Sequence, residues 1–330
     1  MSYYLCIDGG GTKTSAFIAS VSAPTVVAVG HAGPSNLTFG LNECLAATRA
    51  AVRNALTELR NTDLGVETTF PHDGVCFERV WAAYAGCTRQ SDRDALLPPL
   101  QEMFGDVRLT GDGELLTAPA LGGPPQRFVT LICGTGSLAL LWEYNGRGAE
   151  QLARSGGWGP LLDDAGSGWA LGKEAVKSVL MFAANKRDLR TWHGDVLAHF
   201  GLDRATGADR LIAASSQLDP VLPSSEADAE RKKRIAGCSR IVVAAAEGDD
   251  DEALRLLGVV AEQVCSTLAS LVETGRVGDE ETMLVVAGGL GQVETFWNQV
   301  EARFAKHGWR FRTVKMPEPG RSGLETLLRR

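Results

Sequence analysis

Leu5-Cys6-Ile7-Asp8-Gly9-Gly10-Gly11-Thr12-Lys13-Thr14, followed at once by Ser15-Ala16-Phe17-Ile18-Ala19-Ser20, is the stretch on which the reading of the whole chain turns. Apolar residues lead into a carboxylate, three glycines strip every Cβ from a turn, and a second run of small and apolar residues follows. The pattern predicts strand, glycine turn, strand. Glycine takes positive φ and places no side chain between backbone N–H groups and a ligand, so such a turn suits an anion that must come close, a phosphate first. Two familiar phosphate loops do not fit. Thr12 stands where a Walker loop needs Gly before Lys13, Thr14 stands where a dinucleotide fingerprint needs Gly or Ala, and both loops require a helix next. What remains is a hairpin-type phosphate loop with a carboxylate at its entrance, or an ordinary hairpin with a glycine turn.

Outward from this turn, residues 25–30 supply a third strand and close a meander. The loop Ala32-Gly33-Pro34-Ser35-Asn36-Leu37-Thr38 precedes Leu45, Thr48, Val52, Leu56 and Leu59 at helical spacing, with Asn42 as the expected N-cap. A buried strand over 79–86, a helix over 92–104 and a short strand over 107–112 ending on Asp112 complete a βββαβαβα order. The device then repeats: a strand over 127–133, the turn Gly134-Thr135-Gly136-Ser137, a strand over 138–144 and a third near 150–153 predict a second, related lobe. Helical spacing dominates 168–184, 189–200, 229–247 and 251–273, with 217–228 expected as a polar surface loop and 248–252 as a capped break. A strand from 282 enters a third glycine turn, Ala287-Gly288-Gly289, before a helix to about 307, a last strand over 310–314 and a final helix over 323–330.

At 330 residues the chain has room for two cores, since one core stops growing near ~250–300 residues. A net charge of −7 disfavours nucleic acid and anionic membrane as partners, because both are held by surplus Lys and Arg. Seven cysteines, an odd number with no CxxC spacing, read as reduced thiols of an intracellular protein, and the first strand begins too early for a leader segment, so the cytosol is the expected compartment. The five histidines form no cluster.

Three glycine turns thus stand at the carboxyl ends of strands, where open α/β sheets bind ligands. A fourth loop, Ser155-Gly156-Gly157-Trp158-Gly159-Pro160-Leu161-Leu162-Asp163-Asp164-Ala165-Gly166-Ser167, is built from glycine, one tryptophan and paired acids. Together, and in this order, these motifs resemble the two phosphate, sugar-proximal and adenosine motifs of the actin, hexokinase and heat-shock-protein ATPase superfamily, and within it the N-acetylglucosamine kinase branch of the BadF/BadG/BcrA/BcrD ATPase family. The resemblance implies an α/β fold of two ribonuclease-H-like lobes, each a mixed sheet flanked by helices, with a nucleotide and sugar cleft between them. The lobes would be residues 1–119, joined by the terminal helix 318–330, and residues 120–317.

It also implies roles. Asp8 would orient, through water, the Mg²⁺ carried by ATP. Gly10, Gly11, Thr12, Lys13, Thr135 and Gly136 would contact phosphates, and Gly288 and Gly289 would pass close to the adenosine. Asn36, Gly157, Trp158 and Asp164 would bind the sugar. Asp112, also at the sugar, would be the catalytic base. Phosphoryl transfer to an alcohol asks for such a set: a cation against developing charge and a carboxylate for the hydroxyl proton. For each residue a plainer role competes: Asp112 as an Asp-Gly turn or helix cap, Asn36 as a turn residue, Asp163 and Asp164 as a solvated acidic turn, of which Asp163 is the incidental member. Ala165 and Cys87-Thr88-Arg89 depart from the family pattern at the sugar loops only.

The expected activity is ATP-dependent phosphorylation of an amino sugar's primary hydroxyl, N-acetylglucosamine first and glucosamine or another hexosamine second. A homodimer is allowed. A rival from the same superfamily, the reductase-activating ATPase holding an iron–sulfur cluster, needs cysteines in a Cys-Gly-Gly pattern that neither Cys238 nor Cys265 shows. A binding protein that has lost turnover is opposed by the presence of Asp8, Asp112 and Thr135.

Overall fold

The computed structural model describes residues 2–22, 25–62, 75–124, 126–217 and 224–329. Two compact units emerge, Met1–Gly123 with Glu318–Arg330, and Pro124–Pro317.

In the first unit, β1 (Ser2–Gly9), β2 (Thr14–Ser20) and β3 (Val26–Ala32) form the antiparallel meander; α1 (Leu41–Thr62), β4 (Cys76–Tyr84), α2 (Gln90–Phe104), β5 (Val107–Gly111) and the single turn α3 (Asp112–Leu115) follow. The sheet order is β3-β2-β1-β4-β5, with β4 and β5 parallel to β1. As the central strand, β1 must be apolar on both faces. Leu5, Cys6 and Ile7 are accordingly fully buried, Leu5 and Ile7 within the core that α1 and α2 cover. The expected Asn42 cap is not there. Helix α1 starts two residues earlier, at Leu41, because the Gly40 carbonyl already accepts the Cys44 amide, which places Asn42 inside the first turn.

The second unit repeats this plan with β6 (Gln126–Cys133), β7 (Ser137–Tyr144) and β8 (Ala149–Gly156). A helical block comes next: α4 (Gly168–Ala184), α5 (Thr191–His199), α6 (Ala208–Ser216), α7 (Ser224–Glu247) and α8 (Asp251–Gly275). Then β9 (Met283–Ala287), α9 (Glu294–Lys306) and β10 (Arg312–Lys315) finish a sheet of order β10-β9-β6-β7-β8. Helix α8 is long and apolar enough to cross a membrane by composition, and it spends that surface on the unit's own core through Leu256, Leu257, Val260, Val264 and Leu268. Helix α6 was not expected. The expected loop 217–228 is shortened by α7, which already runs from Ser224, and residues 218–223 lie outside the described residues.

The chain ends in α10 (Pro319–Leu328), inside the span 318–330 and four residues ahead of the helical pattern read at 323–330, and this helix packs in the first unit against β1, β2 and β4. A Cβ on Gly323 would lie 2.8 Å from Cys6 Sγ, so the face of β1 opposite Leu5 and Ile7 is sealed by a helix that can approach only through glycine.

Candidate active site

Backbone hydrogen bonds stitch three loops of the first unit together. The Ser35 amide donates to the Gly10 carbonyl at 3.1 Å, Ala85 to Gly9 at 2.7 Å, and Leu37 to Ala85 at 3.0 Å. Thr14, fully buried, adds its hydroxyl 2.7 Å from both the Gly33 carbonyl and Ser35 Oγ, so the last residue of the opening motif holds the loop rather than facing out. The Gly10 amide closes the turn on the Lys13 carbonyl at 2.9 Å. The amides of Gly11, Thr12 and Lys13 find no acceptor among the described residues, and Thr12 and Lys13 are exposed, which is the condition of an anion cradle.

Asn36 caps a single 3-10 turn, its Oδ1 accepting from the Thr38 amide at 2.9 Å and the Thr38 hydroxyl at 2.8 Å. That leaves Nδ2, on the side of Gly11, as the group with donors to offer. Cys87 turns its thiol into the core, so only Thr88 and Arg89 of that loop are exposed. The Cys87 carbonyl would lie 3.3 Å from a Cβ on Gly111, which brings the loop beside Asp112.

Asp112 opens α3 from the end of β5, with Oδ1 accepting the Gly113 amide at 3.0 Å. Asp8 lies near enough for the two carboxylates to repel. Burial first, then Asp112, push Asp8 up to about 6, against the opposing pull of Lys13 and of the Gly320 amide that α10 donates to it. Two carboxylates this close, one of them buried, would be relieved by a cation. No group of three or more His, Cys, Asp or Glu residues gathers among the described residues, so the protein alone offers too few ligands for an octahedral ion. The donor set fits a Mg²⁺ held mainly by phosphates and water.

In the second unit the turn 134–137 is braced by α4. The Gly134 carbonyl accepts the Gly168 amide at 2.8 Å and the Thr135 carbonyl accepts Trp169 at 3.1 Å, while the amides of Thr135 and Gly136 have no acceptor among the described residues. Gly288 packs on this turn: it has φ +88°, and a Cβ there would come within 2.4 Å of the Cys133 carbonyl carbon. Gly289 faces open space.

The Gly157-Trp158 loop is clamped by Arg154, which donates to the Gly156 and Gly157 carbonyls at 3.0 and 2.7 Å and lays its guanidinium 4.6 Å from the Trp158 ring centre. Trp158 is 58% exposed and available as a wall. Asp164 is placed differently from the open acidic turn considered above: it is buried, takes left-handed backbone at φ +62°, accepts the Ser137 amide at 3.2 Å and pairs with Lys232 at 2.7 Å. Asp163 caps the same turn through the Ala165 amide at 3.2 Å and leaves Oδ2 buried with no partner among the described residues.

The first unit therefore gathers Asp8, Gly10 to Lys13, Asn36 and Asp112, and the second gathers Thr135, Gly136, Gly157, Trp158, Asp164, Gly288 and Gly289. Three participants were not anticipated. Arg154 is the strand residue just before the Ser155–Ser167 loop, Lys232 sits in the charged run Glu230-Arg231-Lys232-Lys233-Arg234, and Gly320 follows Pro319 at the start of the terminal helix.

Each half contains a five-stranded mixed sheet with glycine turns at strand ends whose amides lack acceptors among the described residues, a geometry suited to anions. Residues 5–310 match the model of the BadF/BadG/BcrA/BcrD ATPase family, and the chain belongs to it. It is 27% identical over 295 residues, covering 88% of this chain and 86% of the relative, to the N-acetylmuramic acid/N-acetylglucosamine kinase of Clostridium acetobutylicum. A shorter match, 28% over 179 residues and 54% of each chain, is to the N-acetyl-D-glucosamine kinase of Dictyostelium discoideum. The fold is similar to a candidate N-acetylglucosamine kinase of Porphyromonas gingivalis, with a TM-score of 0.72, 20% identity and 99% of each chain covered. It is also similar to a ROK family glucokinase of Streptomyces griseus in complex with glucose and AMPPNP, with a TM-score of 0.56, 15% identity and 98% and 97% covered.

Proposed function

We propose that the protein is an ATP-dependent sugar kinase that transfers the γ-phosphoryl group of ATP to the 6-hydroxyl of an amino sugar, N-acetylglucosamine before glucosamine or another hexosamine. The observation that carries this reading is the Asp8 and Asp112 pair beside the unclaimed amides of residues 11–13: two neighbouring carboxylates, of which Asp8 is pushed up by burial and then by Asp112, next to an anion cradle. Family membership and the kinase names of both curated relatives support it.

In this reading the amides of residues 11–13 and of Thr135 and Gly136 hold the phosphate chain, and Gly288 and Gly289 leave room for the adenosine. Asn36 offers its Nδ2 to a sugar hydroxyl, and Trp158 and Gly157 line the sugar with Asp164. Asp112 accepts the proton of the attacking hydroxyl through a carboxylate oxygen while the loops keep donor and acceptor in line. Bound Mg²⁺ would supply charge neutralisation at the phosphates, and Asp8 would orient it through water. The unpaired thiols, six of them buried, fit a reducing compartment such as the cytosol.

The test is ADP release over a panel of N-acetylglucosamine, glucosamine, N-acetylmuramic acid, N-acetylmannosamine and glucose, with the product's phosphate position read by NMR. Release with N-acetylglucosamine and a 6-phosphate product is expected. No sugar-dependent release with any member overturns the proposal.

A further inference from the structure

The turn Gly134-Thr135-Gly136-Ser137 is faced by a cation, Lys232, and helix packing puts it there. Where α7 crosses α4, a Cβ on Gly172 would lie 1.9 Å from the Ile235 carbonyl oxygen, and one on Gly168 would lie 3.3 Å from Ser239 Oγ. Glycine at both positions lets the helices touch along their backbones, and that closeness pins the register of α7. Lys232 stands one turn before Ala236, on the same face. Its Nζ accordingly lies 3.0 Å from where a Cβ on Gly136 would be, so an ammonium rests on the one position of the turn's tip that has no side chain.

The neighbouring cations are engaged elsewhere. Arg231 pairs with Asp228 at 2.7 Å, Lys233 with Glu230 at 3.6 Å, and Arg234 donates to the Gln217 carbonyl at 2.6 Å. Lys232 alone of the four turns inward, to Asp164 Oδ2 at 2.7 Å, while the other oxygen of that carboxylate accepts the Ser137 amide. Asp164 is buried; the Lys232 side chain keeps 24% of its surface exposed. The ammonium thus bridges a buried carboxylate and the open side of the turn. Ser137 Oγ, also buried on this turn, has no partner among the described residues.

We propose that Lys232 is a phosphate-contacting residue of the nucleotide site, donating to an oxygen of the polyphosphate chain over Gly136 while Asp164 holds its side chain in place; the inference rests on the kinase reading above. An ammonium has three donors, and the contact with Asp164 uses one. The unclaimed amides of Thr135 and Gly136 supply partial positive charge at the same turn, and a full charge beside them is what a polyphosphate needs and what a neutral acceptor would not. The competing role is neutralisation of Asp164 alone. The two roles differ in their response to phosphate: a neutralising lysine is indifferent to it, a contacting one is not.

The experiment measures MgATP affinity of the full-length protein by calorimetry for the wild type, Lys232→Met, Lys232→Arg and the double variant Lys232→Met with Asp164→Asn, with melting curves to confirm folding. Losing a charge-assisted hydrogen bond should weaken MgATP by about 10- to 100-fold in Lys232→Met, with partial retention in Lys232→Arg. The double variant, which no longer needs neutralising, should stay weak. Recovery of affinity in the double variant, or unchanged affinity in Lys232→Met, overturns the contacting role. Should Lys232→Met not fold, reductive methylation of the wild type read by mass spectrometry decides: inorganic tripolyphosphate should protect Lys232 and adenosine should not, and equal labelling in both overturns the role. A wild type that binds no MgATP at all overturns the kinase reading itself, which separates the two failures.

Discussion

The turn at residues 9–14 leaves the central strand of one sheet and the turn at 133–137 leaves the central strand of the other, and the two sheets share one topology: β3-β2-β1-β4-β5 matches β8-β7-β6-β9-β10 strand for strand. Their surroundings differ in charge. Two carboxylates, Asp8 and Asp112, stand at the first turn, whereas a lysine paired with one buried carboxylate stands at the second. Part of the difference comes from what each unit inserts between its third and fourth strands. Among the described residues the first inserts one α-helix, α1; the second inserts α4 through α8, and with them Lys232. Sheet topology makes both turns able to cup an anion; the first turn's carboxylates come from β1 and the end of β5, and the second turn's lysine comes from its inserted helices.

Four changes and one control test this contrast. The largest effect is expected from Asp112→Asn, which should lower kcat by roughly 10²–10⁴ with MgATP affinity retained, since a lost general base affects the proton step and not binding. Wild-type turnover in that variant would mean that the first turn's carboxylates do not do proton chemistry. Next comes Gly288→Ala, where positive φ and a 2.4 Å approach to the Cys133 backbone should cost about 2–4 kcal/mol of stability. Gly289→Ala, with nothing within 4 Å of its Cβ, should leave the melting temperature nearly unchanged. Equal melting temperatures for the two variants would remove the close approach of the third glycine turn to the second.

Asp8→Asn should have a smaller effect, dependent on pH. The folded protein holds the Asp8 proton to about pH 6, against 3.8 ordinarily, so this group's stabilisation is complete below about pH 4 and is lost as pH rises through 6. At pH 7.5 the ligand-free Asn variant should therefore be more stable than the wild type by at most on the order of 2 kcal/mol, with no difference at pH 4. A variant less stable at both pH values would show that Asp8 is held as a favourable structural carboxylate. The smallest change is expected from Arg154→Ala. Loss of the Trp158 contact and two carbonyl hydrogen bonds should loosen the sugar-proximal loop and raise KM for the sugar by about 3- to 10-fold, leaving KM for ATP in place. A rise confined to ATP would move this loop out of the sugar's reach.

The doubled meander was legible because each strand announces itself locally: β-rich runs around Gly9-Gly10-Gly11 and around Gly134-Thr135-Gly136 carry the whole signal within about twenty residues, and β9 is five consecutive buried apolar residues. Helix edges were less so. Asn42 looks like a cap, and only the tertiary position of Gly40 shows that the helix has already begun. The phosphate turns could be read because glycine, a small polar residue and a strand end suffice to define them. Lys232 and Gly320 could not, because each acts through a neighbour far away in the chain, Lys232 through a glycine crossing with α4 and Gly320 through an amide delivered to Asp8; Arg154 acts on its own loop, but only the fold of that loop lays the guanidinium on Trp158. Asp164 shows the limit from the other side. Its motif was visible, and its burial against a lysine was not.

Helix α10 lies in sequence beyond the entire second unit and packs in the first, against β1. Translation therefore produces β1 first and its cover last, so while the intervening residues are being made, Cys6, Phe17 and Trp81 have one face of the sheet without the helix that closes it. The carboxylate of Asp8 waits equally long for the Gly320 amide. A chain stalled within the second unit would hold Asp8 and its glycine turn without the Gly320 amide and the helix that delivers it.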